Sequence, residues 1–270
     1  MIAASALVVF AAPVSAAIWA LDFKTETWDH SAGGGSPSHV GWEDHQLIGS
    51  TTVNGIGITV EFGFAGDAVG NAHDLNATYY THVPTFDGLL WGLKSNSGIN
   101  TAPTLSNYGM FTITFDRPVT GDLKVADFDS GTPDKDASKW RDGAGFEAFT
   151  GTPGAIGTGI APDTTVLGSD VTSSTEFGIE TFFTSRGGGQ NLSSANAVTV
   201  GWNQPITTIR GYHYNSEDGL SAGDGNENFG VGIISSGGSA VPEPGNLIAL
   251  SLLVLGGVAV PRNRRFQLFG

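Results

Sequence analysis

The chain of 270 residues contains no cysteine. Disulfide bonds and cysteine-ligated zinc are therefore excluded, and the fold has to rest on its own core or on bound ions. Basic residues are scarce: 12 Lys and Arg stand against 26 Asp and Glu, for a formal net charge of −14. A surface so acidic repels phosphate backbones, so no nucleic acid is expected as a partner. Long amphipathic helices are missing too, since no segment of the body sustains an apolar repeat of about 3.6 residues. The chain also lacks a Gly-x-Ser-x-Gly elbow, a phosphate-binding loop, a dinucleotide-type glycine fingerprint in a β-α context and the HExxH spacing. Each absence removes one family of chemistries, and no catalytic residue is named by a motif.

What is present is glycine, with 40 residues, and an apolar content of 40% that includes 10% aromatics. That is enough for a real core and sets the chain apart from a disordered linker. The apolar residues alternate in short runs, as in Thr59-Val60-Glu61-Phe62-Gly63-Phe64 and Met110-Phe111-Thr112-Ile113-Thr114-Phe115, which is the period of a half-buried strand. Asn54-Gly55 between two such runs predicts a type I′ hairpin. Further strands are expected at Val119 to Phe128, Gly145 to Phe149, Val198 to Trp202, Ile206 to Tyr214 and Phe229 to Ile234. Two blocks, Phe111 to Val119 and Val198 to Ile206, repeat a scheme of strand, polar-Pro-apolar step and strand, and read either as hairpins or as crossings between sheets. The expected fold is all-β: an antiparallel two-sheet sandwich, jelly-roll-like, with a short C-terminal hydrophobic helix.

Both ends carry targeting patterns. Ile2 to Ala12 form an apolar run without a basic n-region, followed by Pro13-Val14-Ser15-Ala16-Ala17 with small residues at the cleavage-like positions, so residues 1–16 read as an atypical signal peptide cut after Ala16, which implies Sec-type export. The body is residues 17–240. Residues 241–265 then hold Val241, Pro242, Glu243 and Pro244, an uncharged stretch from Leu247 to Val260, and Arg262, Arg264 and Arg265. The two prolines predict a stiff, protease-accessible strip. The apolar stretch spans roughly 21 Å as a helix at about 1.5 Å per residue, short of the roughly 20 residues of a typical membrane span. The arginines would snorkel to the headgroups and hold the cytoplasmic side.

Pro-Glu-Pro, a short apolar helix and a terminal Arg cluster, in that order, resemble the PEP-CTERM sorting signal of Gram-negative bacteria. The resemblance covers about the last 30 residues, with Asn263 interrupting the Arg cluster and five residues following it. It implies an exosortase as partner, a transient stay in the inner membrane, and release at the cell surface or outside the cell. Removal of the tail with its three arginines would take the formal charge from −14 to −17. The body in turn looks like the β-sandwich ectodomains that often accompany such tails, which implies a structural or glycan-binding role near exopolysaccharide.

Candidate sites are few. Asp127, Asp129, Asp134 and Asp136 crowd the end of a strand and suit a structural calcium ion, though an acidic turn predicts the same string. No other cofactor is expected. Glu217, Asp218, Asp224 and Glu227 form a second acidic loop of the same kind. The string His39 to His45, with His30, His73 and His82 elsewhere, offers imidazoles and carboxylates without a ligand spacing. Trp42, beside Glu43 and Asp44, and Trp140, between Lys139 and Arg141, sit in polar surroundings and are expected to be exposed for stacking on sugar rings. A carbohydrate-active enzyme using Glu43, Glu61 or Glu147 as acid and base is the alternative to a binding protein.

Overall fold

A computed structural model describes residues 20–43, 45–66, 68–70, 88–95, 105–128, 142–184, 194–215 and 226–235. In chain order its strands are β1 (Ala20–Leu21), β2 (Thr27–Trp28), β3 (His39–Val40), β4 (Ile48–Val53), β5 (Ile56–Ala65), β6 (Ala68–Gly70), β7 (Gly88–Ser95), β8 (Tyr108–Ala126), β9 (Asp142–Phe149), β10 (Thr164–Leu167), β11 (Val171–Glu176), β12 (Ile179–Thr184), β13 (Val198–Asn215) and β14 (Asn226–Ser235). Every pairing is antiparallel. The fold is the expected two-sheet antiparallel sandwich.

Two long strands generate both sheets. The first half of β8 pairs with β5, and its second half pairs with β14. β13 follows β8 along its whole length and gives its first half to β10 and its second half to β9. One sheet therefore reads β4-β5-β8-β13-β9-β12-β11, the other β10-β13-β8-β14-β7-β6, and hydrogen bonding is continuous through the shared pair. The step from one sheet to the other falls where the ladder slips, between Trp202 and Ile206 and again before Thr208. Pro205 lies in that slip, and Pro118 stands next to Val119, the partner of Ile206. Of the two readings of the polar-Pro-apolar blocks, the crossing holds and the hairpin fails. Pro cannot donate to a ladder, so it is tolerated where pairing is interrupted, and the two blocks meet to build one corner.

Alternation decides what goes inside. Ile58, Val60 and Phe62 of β5, Phe111, Ile113 and Phe115 of β8, and Ile209 of β13 point inward from the first sheet. Leu123, Val125, Val198, Val200 and Trp202 do so from the second, and all join one core cluster. Asn54 and Gly55 take φ of 50° and 78°, the left-handed pair that a type I′ turn demands. The hairpin β11–β12 uses the same device at Phe177 and Gly178, with φ of 54° and 80°.

The segment before β4 adds an aromatic wedge to the core. Phe23 stacks on Trp28 at 5.4 Å, Trp42 meets Trp28 edge-on at 4.8 Å, and Phe62 closes on Trp42 at 5.6 Å. Here the expectation of an exposed Trp42 is overturned: the ring is 3% exposed, and its Nε1 donates to the Gln46 carbonyl at 3.0 Å. Despite its polar sequence neighbours, Trp42 is buried, with Gly41 at φ 78° forming the turn just before it. A Cβ at Gly41 would lie 2.9 Å from the Lys24 carbonyl oxygen, so the turn is closed to larger residues.

Candidate functional site

Among the described residues, those singled out from the sequence do not converge on one site. Trp140, Asp129, Asp134, Asp136, His73, His82 and the whole sorting tail from Val241 to Arg265 lie outside the described residues. Asp127 sits just past β8 with φ of 74°, a left-handed position suited to a turn. His30 is fully buried. Its Nε2 accepts the Glu43 backbone N–H at 3.0 Å, so the ring proton is on Nδ1, which donates to the Ile48 carbonyl at 2.8 Å. His39 turns its Nδ1 to the Gly41 carbonyl at 2.9 Å. Among the described residues no three His, Asp or Glu side chains gather as a metal site would require.

The three candidate carboxylates part company. Glu43 accepts from the Ser36 backbone N–H at 2.6 Å and from the Ser36 hydroxyl at 2.9 Å, one bond to each oxygen. The backbone bond is the main reason its carboxyl titrates below the usual range, and the hydroxyl adds to it. Glu61 is exposed on the outer face of β5. Glu147, by contrast, is 1% exposed on the outer face of β9 and is fully committed. Its Oε1 takes Arg210 Nη2 at 2.7 Å and the Tyr212 hydroxyl at 2.5 Å, while its Oε2 takes the Gly159 N–H at 2.7 Å.

This buried network is built by register. Arg210 and Glu147 are direct cross-strand partners of β13 and β9, so their side chains emerge side by side on the outer face. The connection 150–163 covers them. Arg210 also donates to the Ala155 carbonyl at 3.2 Å, Ile160 bridges to Ala148, and Trp202 Nε1 donates to the Ile160 carbonyl at 3.1 Å. The guanidinium lies over the Phe149 ring at 4.7 Å and the Tyr212 ring at 5.3 Å. Burial, then the bond to Glu147, pushes the Tyr212 phenol well above its ordinary value. The sequence carries a signal for this site: Glu147 is the one charged residue of Gly145-Phe146-Glu147-Ala148-Phe149 and Arg210 the one Lys, Arg, Asp or Glu between Ile206 and Tyr214, as buried charges that need a partner are. A second buried pair, His213 Nε2 with Asp142 Oδ1 at 3.1 Å, joins the same two strands.

Two concavities open on this sheet. One, of ≈ 520 Å³, lies between 159–161 and the β11–β12 hairpin, with Glu147 and Glu180 on its walls. The other is a broader groove of ≈ 790 Å³ at the β4–β5 end. Its floor includes Ser50, Thr59 and Thr114, which are successive cross-strand neighbours, with Glu26, Asp29 and Asp116 beside them. Asp29 is held below the usual carboxylate range by hydrogen bonds from Ser31, and Asp116 by its bond from Arg117, with help from the Gly57 N–H. Both are therefore ionised at neutral pH, and the groove is acidic and rich in hydroxyls.

No family model, no curated protein and no solved structure matches the chain.

Proposed function

We propose that the chain is an exported β-sandwich of the cell envelope or extracellular matrix that binds glycan without turning it over. In this reading the signal peptide 1–16 takes it across the inner membrane, and the PEP-CTERM-like segment 241–265 holds it there until an exosortase removes the tail. The observation that carries the binding role is the acidic, hydroxyl-lined groove beside Asp29 and Asp116. Carboxylates and hydroxyls at the mouth of an open groove match the donors of sugar hydroxyls, and the net charge of −14 disfavours anionic polymers unless a cation such as calcium bridges them.

A carbohydrate-active enzyme is the second reading, because Glu147 and Glu180 line one cleft and glycoside hydrolysis uses two carboxylates. Against it, both oxygens of Glu147 and both of Glu43 are engaged by fixed partners. A general acid or a nucleophile needs a free oxygen facing the substrate.

Two measurements separate these roles. Incubation with neutral and acidic polysaccharides, with and without calcium, followed for retention and for new reducing ends, is expected to give retention alone. Released sugar would replace the binding role by the enzymatic one. Intact-mass analysis of protein from a host with an exosortase is expected to show loss of roughly the last 25 residues, as the short apolar span and inside-positive arginines imply. A mature chain still ending at Gly270 would remove the sorting role.

A further inference from the structure

The inference concerns how the groove holds its ligand and which polymers it accepts, and it rests on the glycan-binding reading above. We propose that the ligand is an uncharged, hydroxyl-rich polymer lying across the strands, along the row Asp29, Ser50, Thr59, Thr114. The row is set by register. Asp29 bridges to Ser50, Ser50 pairs with Thr59 and Thr59 with Thr114. Cross-strand partners share a face, and neighbouring strands lie about 4.8 Å apart, so three intervals make a track of roughly 14 Å.

Its chemistry selects the ligand. Ser and Thr are short, so the floor stays low, and a hydroxyl both donates and accepts, as a sugar hydroxyl does. The carboxylate of Asp29 only accepts, and its hydrogen bonds from Ser31 keep it ionised, whereas both oxygens of Asp116 are taken by Arg117 at 2.9 and 3.2 Å. The Asp29 carboxylate calls for donors, which the hydroxyls of a polyol supply. A carboxylated or sulfated polymer brings like charge towards Glu26 and Asp29, the groove's unpaired charge among the described residues once Asp116 is matched by Arg117. The track has one closed end. Thr114 pairs onward with Thr208, which is buried, so the open length stops at Thr114 and extends towards Asp29.

The test uses the full-length chain in detergent, run by affinity electrophoresis in gels containing dextran, hydroxyethylcellulose or alginate. The wild type is expected to be retarded by at least one of the two neutral polymers and not by alginate. Thr59→Val with Thr114→Val keeps side-chain shape and strand propensity but removes two hydroxyls, and is expected to weaken retardation roughly tenfold. Thr164→Val, on an exposed strand away from the groove, serves as the control and should leave retardation unchanged. Unchanged binding by the double variant, or equal retardation by alginate, would overturn the cross-strand track while leaving glycan binding in place. Retardation by none of the three polymers would overturn both.

Discussion

The outer face of the first sheet has two ends that use polar residues in opposite ways. At the β9–β13 end, Glu147, Arg210 and Tyr212 are buried and hydrogen-bonded to one another, and Glu147 and Arg210 also to the backbone of 150–163. At the β4–β5 end, Ser50, Thr59 and Thr114 face an open groove between carboxylates. A buried ion pair repays its desolvation only with close geometry, so its groups are spent on holding the fold. Hydroxyls on an open face cost little to present to solvent and stay available to a ligand. Charge in the closed end therefore serves the fold, and modest polarity in the open end suits the proposed ligand.

The comparison breaks most visibly if the closed end is damaged. Glu147→Ala leaves Arg210 buried without its anion and should cost about 3–5 kcal/mol. Urea unfolding followed by tryptophan fluorescence would measure it. Arg210→Ala should cost a similar amount, whereas Glu147→Leu with Arg210→Met should recover part of the loss, because it removes the desolvation penalty of both ions but leaves the Tyr212 hydroxyl and the Gly159 N–H without their acceptor. A double variant as unstable as either single change would show that 150–163 needs the charges themselves.

A smaller effect is expected where the aromatic wedge meets β4. A Cβ at Gly49 would lie 2.6 Å from His30 Cε1 and 2.9 Å from Trp42. His30 is tied at both ring nitrogens and Trp42 at Nε1, so neither ring can swing away without losing a hydrogen bond. Gly49→Ala should therefore destabilise by about 1–3 kcal/mol, the range for overpacking, measured in the same unfolding assay.

Tyr212 gives a pH signature. Its phenol titrates higher in the folded chain than the ordinary value of about 10, chiefly through burial and then through the bond to Glu147. A raised folded pKa contributes stability that is complete below about pH 10 and is lost as pH climbs towards the folded value. Wild type minus Tyr212→Phe should therefore be flat up to about pH 10 and then fall by up to about 1.4 kcal/mol per pH unit, as read from urea midpoints.

How far the sequence disclosed this molecule depended on whether a signal was local. Asn54-Gly55 and the alternating runs of β5 and β8 act through backbone preference and period, so they predict their elements directly. Phe177-Gly178 closes an equivalent turn but was not readable as one, because Phe is no turn residue; its ring contact with Tyr214 at 5.4 Å accompanies the left-handed φ. Pro118 and Pro205 read equally as hairpin turns or as crossings between sheets. They turned out to interrupt pairing inside two long strands, which depends on the partner strand and not on the chain itself. Trp42 shows the same limit, since its burial is set by Phe23, Trp28 and Phe62 from elsewhere in the chain. The groove was the least readable feature, because its row draws Asp29, Ser50, Thr59 and Thr114 from four separate segments, each an ordinary surface position in isolation.

The smallest expected effect is the one that isolates the open end. Thr59 and Thr114 point away from the core, as shown by the burial of Ile58, Val60, Ile113 and Phe115 on either side of them. Replacing each hydroxyl by a methyl keeps the β-branched shape that strands favour, so the ladder and its packing lose nothing. Thr59→Val and Thr114→Val should each shift unfolding free energy by no more than about 0.5 kcal/mol, the range of ordinary surface substitutions. This near-zero result sharpens the contrast with Glu147→Ala, in which a single substitution on the same sheet face removes a large part of the stability. A loss above about 1 kcal/mol would mean that these hydroxyls support the fold after all, and the division of the sheet into a holding end and a binding end would fail.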